Sequence, residues 1–452
     1  MGTLFGTDGV RGIANRDLTA ELAYRLGRAG AHVLKGANPR PRVVIGKDTR
    51  LSGDMLEAAL VAGICSLGAD VDLLGVVSTP GVAYLTRYLG ADAGVVISAS
   101  HNPAEYNGIK FFSRDGYKLP DEVEESMETL AVREPDSLPR PTGACLGRTR
   151  RAEAAVEGYL DFLAGSVEGD LRGVKVVVDC AHGAACRIAP AVLSRLGAEV
   201  VVINAAPDGT NINLGCGSTH PEGLQEAVLR EGAHAGLAHD GDADRVIAVD
   251  EKGRVVDGDQ IMAICGLEMI RTGRLAENTL VATVMSNLGL ELAIRRAGGR
   301  VVRTRVGDRY VLEEMRARGF NLGGEQSGHI IFLDHTTTGD GVLTALQLLR
   351  VMRDRGEPLS VLAAQMERFP QVLWNVRVRD KEAFSQALSA NGRIARAIEE
   401  VEAELGAAGR VVVRPSGTEP LVRIMLEGAD AGRLEALARQ LVGVIEQELS
   451  RG

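Results

Sequence analysis

Short, wholly apolar runs recur along this chain at intervals set by amphipathic stretches, and the spacing predicts parallel strands joined by helices. Val43-Val44-Ile45 leads through a helical stretch to Leu67-Gly68-Ala69-Asp70-Val71, where a new strand starts. Val174 to Asp179 leads likewise to Leu196-Gly197-Ala198-Glu199-Val200, and Leu280 to Val284 leads to Ala297-Gly298-Gly299-Arg300-Val301. Each glycine stands where a helix ends in a left-handed cap before the chain turns back into a parallel strand. Three related βαβ-type domains follow, although the pattern is also generic to α/β units. After Pro370 the rhythm changes to a strand at Leu373 to Val378, a long helix from about Lys381 to Leu405, a strand at Val411 to Val413 and a closing helix from about Ala431 to Leu449. The expected fold class is α/β: three related mixed-sheet α/β domains plus a smaller C-terminal α+β domain around a central cleft. Domain boundaries are placed at 1–150, 151–251, 252–368 and 369–452.

With 452 residues, 45% of them hydrophobic, the chain can bury several cores. A net charge of −9 with no basic block argues against nucleic acid or an acidic membrane surface as a partner. No secretory signal opens the chain and no apolar run approaches the roughly 20 residues that cross a bilayer, so a soluble, cytoplasmic protein is expected. Cys65, Cys145, Cys180, Cys186, Cys216 and Cys265 show neither a disulfide framework nor a Cys-x-x-Cys pair, which predicts reduced packing thiols.

Four segments carry candidate chemistry. Gly94-Val95-Val96-Ile97 reads as a buried strand, and Ala99-Ser100-His101-Asn102-Pro103 ends it where open α/β sheets keep their reactive groups. Pro103 stiffens the loop, making Ser100 a rigid, exposed hydroxyl and a candidate nucleophile; the plainer reading has Ser100 and Asn102 satisfying turn backbone. In His239-Asp240-Gly241-Asp242-Ala243-Asp244-Arg245, carboxylates at alternate positions share one face of an extended segment, and the small residues let it curl. Carboxylates that close repel by about 1 kcal/mol per pair in water and about 4 at an effective dielectric near 20, which a hard cation such as Mg²⁺ or Ca²⁺ relieves. An EF-hand loop shares the alternation, but Arg245 stands where that loop needs glycine; a solvated acidic turn is the remaining reading.

Arg414-Pro415-Ser416-Gly417-Thr418-Glu419-Pro420, followed by a strand carrying Arg423, offers hydroxyls, backbone N–H groups and an arginine fork suited to a phosphate monoester, or else forms a tight inter-strand turn. Gly323-Gly324-Glu325-Gln326-Ser327-Gly328-His329 suits sugar hydroxyls, with His329 able to move protons near neutral pH, or is a glycine-rich turn without a ligand.

In order and over nearly the whole chain, Ser-His-Asn-Pro, Asp-Gly-Asp-Ala-Asp-Arg, Gly-Glu-Gln-Ser-Gly-His and Arg-Pro-Ser-Gly-Thr-Glu-Pro resemble the α-D-phosphohexomutase superfamily. Phe5 to Gly12, Val306-Gly307-Asp308-Arg309-Tyr310, Cys216 to Glu222, and Gln326 between Glu325 and Ser327 resemble its phosphoglucosamine mutase family. Tyr106, directly before Asn107-Gly108-Ile109-Lys110, departs from the aspartate common there and is similar to the phosphomannomutase branch.

The resemblance implies interconversion of glucosamine 6-phosphate and glucosamine 1-phosphate through phosphorylated Ser100 and a 1,6-bisphosphate. Ser100, Asp240, Asp242 and Asp244 would hold one Mg²⁺ per subunit. Arg11, Lys110 and His329 would line the reaction centre, and His101 and Arg245 would support the phosphoserine. Glu325 and Ser327 would contact the sugar, while Arg414, Ser416, Gly417, Thr418 and Arg423 would hold the phosphate. Lys110 is one of few lysines in an arginine-rich chain and can shift its pKa for proton transfer.

The implied partner is a small amino-sugar phosphate, with glucose or glucosamine 1,6-bisphosphate as activator, and a homodimer is among the assemblies left open. A hexose-specific mutase is the nearest alternative. A metal-dependent phosphohydrolase and a catalytically silent sugar-phosphate sensor are the others, and the intact nucleophile and acidic set disfavour the sensor.

Overall fold

The computed structural model describes residues 4–6, 8–135, 137–378, 384, 388, 392–406, 409–415 and 421–449. It divides into two compact units, Met1–Thr283 with Val302–Gln365 and Val284–Val301 with Met366–Gly452.

The first sheet of the larger unit contains β1 (Val10–Ile13), β2 (Arg42–Lys47), β3 (Asp70–Val76), β4 (Ala93–Ile97), β5 (Tyr106–Ser113) and β6 (Thr149–Arg151), in the order β1-β5-β4-β2-β3-β6. Its helices are α1 (Ala20–Leu34), α2 (Ser52–Ser66), α3 (Thr79–Tyr88) and α4 (Asp121–Glu128). Thr19 starts α1 by accepting the Leu22 N–H at 3.2 Å, and Ser78 starts α3 by accepting the Gly81 N–H at 3.2 Å. β2, β3 and β4 run parallel, whereas β5 returns antiparallel to β4. The β4–β5 connection is therefore a short loop rather than a helical crossover, and it carries Ser100.

A second sheet, ordered β11-β10-β9-β7-β8, is built from β7 (Lys175–Asp179), β8 (Glu199–Ile203), β9 (Ala235–His239), β10 (Val246–Asp250) and β11 (Val255–Val256). α5 (Val156–Gly165), α6 (Ala185–Arg195) and α7 (Glu222–Glu231) accompany it. β9 and β10 are antiparallel, His239 opposite Val246, so the acidic segment is the turn between two fully buried strands.

The third group comprises α8 (Gly258–Arg271), β12 (Thr279–Thr283), α9 (Leu288–Arg296), β13 (Arg300–Thr304), α10 (Asp308–Arg318), β14 (Leu322–Gly324), β15 (Ile330–Phe332), α11 (Gly341–Arg355) and α12 (Leu359–Ala363). β12 pairs in parallel with β14, which pairs antiparallel with β15. The predicted left-handed glycines are present in all three repeats, with φ of +94° at Gly68, +86° at Gly197 and +81° at Gly298.

The smaller unit has β16 (Gln371–Arg377), α13 (Arg393–Leu405), β17 (Gly409–Pro415), β18 (Leu421–Gly428) and α14 (Ala431–Leu449), its antiparallel strands ordered β16-β18-β17. Ile424 and Leu426 on the central strand pack with Ile394, Val401, Leu437 and Leu441 from the helices. The start of the helix expected from about Lys381 lies largely outside the described residues. Of the third group, α9 and the first two residues of β13 cluster with this unit. Fully buried Glu427 accepts the Leu288 N–H at 2.8 Å and the Arg410 Nε–H at 2.6 Å, and an anion at a helix N-terminus is electrostatically favoured. Among the described residues no helix is long and apolar enough to cross a membrane, and all six cysteines are free thiols.

Candidate active site

Two loops from different sheets meet at Ser100. Its Oγ donates to Asp240 Oδ2 at 2.6 Å, its N–H donates to Ser98 Oγ at 3.0 Å, and His101 Nδ1 lies 3.3 Å from the same Oγ. The sequence predicts an exposed hydroxyl; Ser100 is instead completely buried, because the acidic turn covers it. A Cβ on Gly241 would fall 2.6 Å from Ser100 O and 2.9 Å from Asn213 Nδ2, and a Cβ on Gly183 would fall 2.4 Å from Gly241 O. Only residues without side chains allow that approach.

The acidic segment is not extended, as the alternation predicts. Ala243 takes φ +55° and the chain curls, bringing one oxygen each of Asp240, Asp242 and Asp244 within 4.8 Å of one another. All three residues are buried, which removes the solvated-turn reading, and flanking strands rather than helices remove the EF-hand. Burial, then Asp244 and Asp242, push the Asp240 carboxyl well above the usual carboxylate range. Burial acts on Asp244 in the same direction, but His329, Lys110 and Arg245 outweigh it and hold that group low.

Asp242 Oδ2 accepts from Thr79 Oγ1 at 2.6 Å and Lys110 Nζ at 3.0 Å, and Asp240 Oδ1 accepts the Arg245 N–H at 3.2 Å. Asp242 Oδ1 and Asp244 Oδ1, both buried, accept no hydrogen bond. Buried carboxylate oxygens left without partners are costly, and three converging hard donors are what a hard divalent cation requires, so these residues fit Mg²⁺.

Cations surround the turn. Lys110 Nζ also lies 3.7 Å from Asp8 and 4.0 Å from Asp244. Burial would lower its pKa, but Asp242 and Asp8 outweigh burial and raise it. The shift is therefore away from the free amine a proton acceptor needs, and Lys110 is a fixed ammonium. Arg11 pairs with Asp8. His329 Nδ1 lies 3.5 Å from Asp244 Oδ2 and its Nε2 3.4 Å from Asp308 Oδ2; burial opposes protonation, but the carboxylates raise its pKa. His101 goes the other way: burial, then Arg245 and Arg11, bring it down to about 4, so its imidazole is neutral. Arg245 Nε stands 3.8 Å from Asp244 Oδ1.

The sugar-loop candidates follow β14. Glu325 accepts the Gly307 N–H at 3.1 Å and donates its own N–H to His329 O at 2.9 Å, while Ser327 is exposed. Burial raises the Glu325 carboxyl despite nearby His329.

Three residues that the sequence reading assigns no role stand in this cluster. Thr79 also donates its N–H to Asp242 O at 3.0 Å, and Lys118 Nζ bridges Asp8 Oδ1 at 2.7 Å and Asp308 Oδ2 at 2.6 Å. Asp308 lies in the Val306–Tyr310 motif, Lys118 shares the scarcity of Lys110, and Thr79 opens a helix after a capping serine; these were the available signals.

In the smaller unit, Arg414 on β17 is the register partner of Arg423 on β18. Burial, then Arg423, lower the Arg414 pKa, and Arg414 Nε is buried without a hydrogen bond. Two guanidinium groups placed side by side favour an anion between them. Ser416, Gly417 and Thr418 lie outside the described residues.

The four domains of the phosphoglucomutase/phosphomannomutase family match in order: α/β/α domain I over residues 2–136, domain II over 157–253, domain III over 257–369 and the C-terminal domain over 373–444. The phosphoglucosamine mutase of Desulforamulus reducens is 59% identical over 98% of this chain and 99% of its own length. That of Pelotomaculum thermopropionicum is 61% identical over 99% and 100%. Among solved structures, a phosphoglucomutase/phosphomannomutase family protein from Burkholderia thailandensis superposes with a TM-score of 0.81 at 24% identity, covering 99% of this chain and 98% of the other. N-acetylphosphoglucosamine mutase from Aspergillus fumigatus, in complex with GlcNAc-6P and magnesium, superposes with a TM-score of 0.70 at 18% identity, covering 99% and 96%. These two structures establish the shared fold. Identity near 60% across the full length, together with four domain matches in unbroken order, places the chain in the phosphoglucosamine mutase family.

Proposed function

We propose that the protein interconverts glucosamine 6-phosphate and glucosamine 1-phosphate, with Ser100 carrying the phosphoryl group between two ends of the sugar. The observation that carries this reading is the Ser100 Oγ held 2.6 Å from Asp240 at the mouth of three buried carboxylates, two of which keep an oxygen without a hydrogen bond. Asp240, Asp242 and Asp244, with an oxygen of phosphorylated Ser100, would hold Mg²⁺. When bound, that ion supplies Lewis-acid neutralisation of phosphoryl charge.

The remaining work belongs to side chains. Lys110, held as an ammonium beside Asp242, supplies fixed positive charge where negative charge develops. Arg11 and His329, whose neighbouring carboxylates favour its protonated form, line the same centre, and neutral His101 with Arg245 orients the phosphoserine. Glu325 and Ser327 hold sugar hydroxyls. Arg414 and Arg423, with Ser416, Gly417 and Thr418, grip the phosphate that is not reacting. Ser100 gives its phosphoryl to the free hydroxyl of the monophosphate, the resulting glucosamine 1,6-bisphosphate turns round, and its other phosphoryl returns to Ser100.

Glucose or glucosamine 1,6-bisphosphate would serve as activator by keeping Ser100 phosphorylated. We divide the chain for this purpose at 1–150, 151–251, 252–368 and 369–452, and place it in the cytoplasm, where free thiols persist.

The test is a coupled assay for glucosamine 1-phosphate formed from glucosamine 6-phosphate with Mg²⁺ and trace bisphosphate, run beside glucose and mannose phosphates. Glucosamine turnover should dominate and Ser100→Ala should abolish it. Stoichiometric release of inorganic phosphate, or a preference for a neutral hexose, would overturn the assignment.

A further inference from the structure

Ser100 is also held from behind, by groups with no part in the chemistry above. Its φ of +51° is left-handed, a conformation that a residue with a side chain keeps only when its surroundings impose it. Arg50, buried in the turn between β2 and α2, supplies the constraint. One terminal nitrogen donates to Ser100 O at 2.9 Å and Asn102 O at 2.8 Å, and the other donates to Tyr106 O at 3.0 Å and to Pro103 O.

Arg50 Nε donates at 2.8 Å to Asp48 Oδ2, which also accepts Ser98 Oγ at 2.6 Å. Ser98 Oγ in turn receives the Ser100 N–H, so the ring of bonds closes on the nucleophile's own amide. Asp48 and Arg50 side chains are both fully shielded from solvent. From the side of the acidic turn, Asn213 Nδ2 donates to the same two carbonyls, Ser100 O at 2.9 Å and Asn102 O at 3.1 Å, while its backbone N–H is fixed on Ala181 O at 2.9 Å.

We propose that Arg50 and Asn213 are positioning residues for phosphoryl transfer, jointly locking the peptide planes that aim Ser100 Oγ at the acidic turn. The inference rests on Ser100 being the nucleophile. A carbonyl oxygen has two lone pairs, and at both Ser100 and Asn102 one is taken by Arg50 and the other by Asn213. Neither plane can rotate without breaking two hydrogen bonds, so the hydroxyl keeps its bearing whether or not it carries a phosphoryl group. Four carbonyls converging on one planar fork also require a guanidinium; the point charge of lysine cannot reach them together.

The experiment compares Arg50→Ala, Arg50→Lys, Asn213→Ala and Ser100→Ala in the full chain with Mg²⁺. It reads kcat and KM for glucosamine 6-phosphate, and the rate of Ser100 phosphorylation from glucose 1,6-bisphosphate by mass spectrometry. Misaim of an angstrom costs on the order of 100-fold, so Arg50→Ala and Arg50→Lys should lose about that in kcat and in phosphorylation rate, and Asn213→Ala about tenfold, with KM within about threefold. Methylguanidinium should restore part of the activity of Arg50→Ala and none of Asn213→Ala, which a general loss of folding would not reproduce.

The proposal is overturned if the alanine variants keep kcat within about twofold of the parent, or if the loss falls on KM alone. Should Arg50→Ala not fold, Asn213→Ala decides by the same criteria. An active Ser100→Ala would remove the nucleophile reading itself. An inactive Ser100→Ala beside unimpaired Arg50 and Asn213 variants would overturn only the positioning roles.

Discussion

Lys118 offers the sharpest test of the electrostatics around the reaction centre. Its side chain is 10% exposed and its Nζ joins Asp8 at 2.7 Å to Asp308 at 2.6 Å. Burial acts to lower its pKa, but Asp308 and Asp8 outweigh burial and raise it. The exchange is mutual: despite burial, Lys110, Lys118 and Arg11 hold Asp8 well below its ordinary value, and Lys118 with His329 lowers Asp308.

Lys118→Met keeps most of the side-chain volume and removes the charge. Breaking a buried pair from one side costs about 3–5 kcal/mol; Asp8 retains Arg11 and Lys110, and Asp308 retains His329, so the lower end, about 3 kcal/mol, is expected near pH 7.5. At roughly 1–1.5 °C per kcal/mol for a cooperative unit of this size, the melting temperature should fall by roughly 3–4 °C.

The sign of the pH dependence follows from the depressed carboxylates. Their stabilisation is complete above the unfolded-state value near 3.9 and is lost as pH falls through the folded-state value, so the gap between parent and variant should close below about pH 4. Thermal unfolding followed by circular dichroism from about pH 2.5 to 8 measures it. A shift under about 2 °C at pH 7.5, or a gap that widens on acidification, would refute the reasoning. Asp308→Asn in the methionine background should recover part of the loss, by removing one stranded charge.

Asp340 behaves in the opposite sense. It caps α11 by accepting the Leu343 N–H at 2.9 Å and takes the Tyr159 hydroxyl at 2.5 Å, and burial pushes its carboxyl up to about 6. A raised folded-state value means stability present below about pH 4 and lost as pH rises through 6, so Asp340→Asn should gain up to about 3 kcal/mol at pH 8 and nothing at pH 4, in paired thermal melts. Arg414→Ala should raise KM for glucosamine 6-phosphate at least about tenfold with a smaller change in kcat if Arg414 holds the phosphate as proposed; an unaltered KM would move that contact elsewhere. Asp242→Asn should shift the Mg²⁺ activation midpoint upward by about tenfold or more, and an unchanged titration would count against its ligand role.

The sequence discloses whatever is written locally. The left-handed glycines at Gly68, Gly197 and Gly298 and the abrupt end of β4 before Ser100 depend on neighbours in the chain, and they stand where expected. The acidic alternation shows that three carboxylates are close, but the curl at Ala243 that makes them converge is a backbone choice imposed by the strands on either side. What was hidden is non-local. Lys118 reaches Asp308 across 190 positions, Asn213 reaches Ser100 across 113, and Glu427 captures the start of α9 across 139. No periodicity encodes such pairs, and the same is true of the burial of Ser100, which comes from a turn contributed by another sheet.

The missing side chain at Gly241 divides the molecule's freedom to change. With Ser100 O, Ile212 Cδ1 and Asn213 Nδ2 all closer than a Cβ there allows, the floor beneath Ser100 admits no additional atom at this position. Exposed positions such as Ser327, on the loop after β14, carry no such restriction. Side chains can therefore change at the rim without disturbing the packing beneath Ser100, whereas at Gly241 even one added carbon must displace the backbone around it.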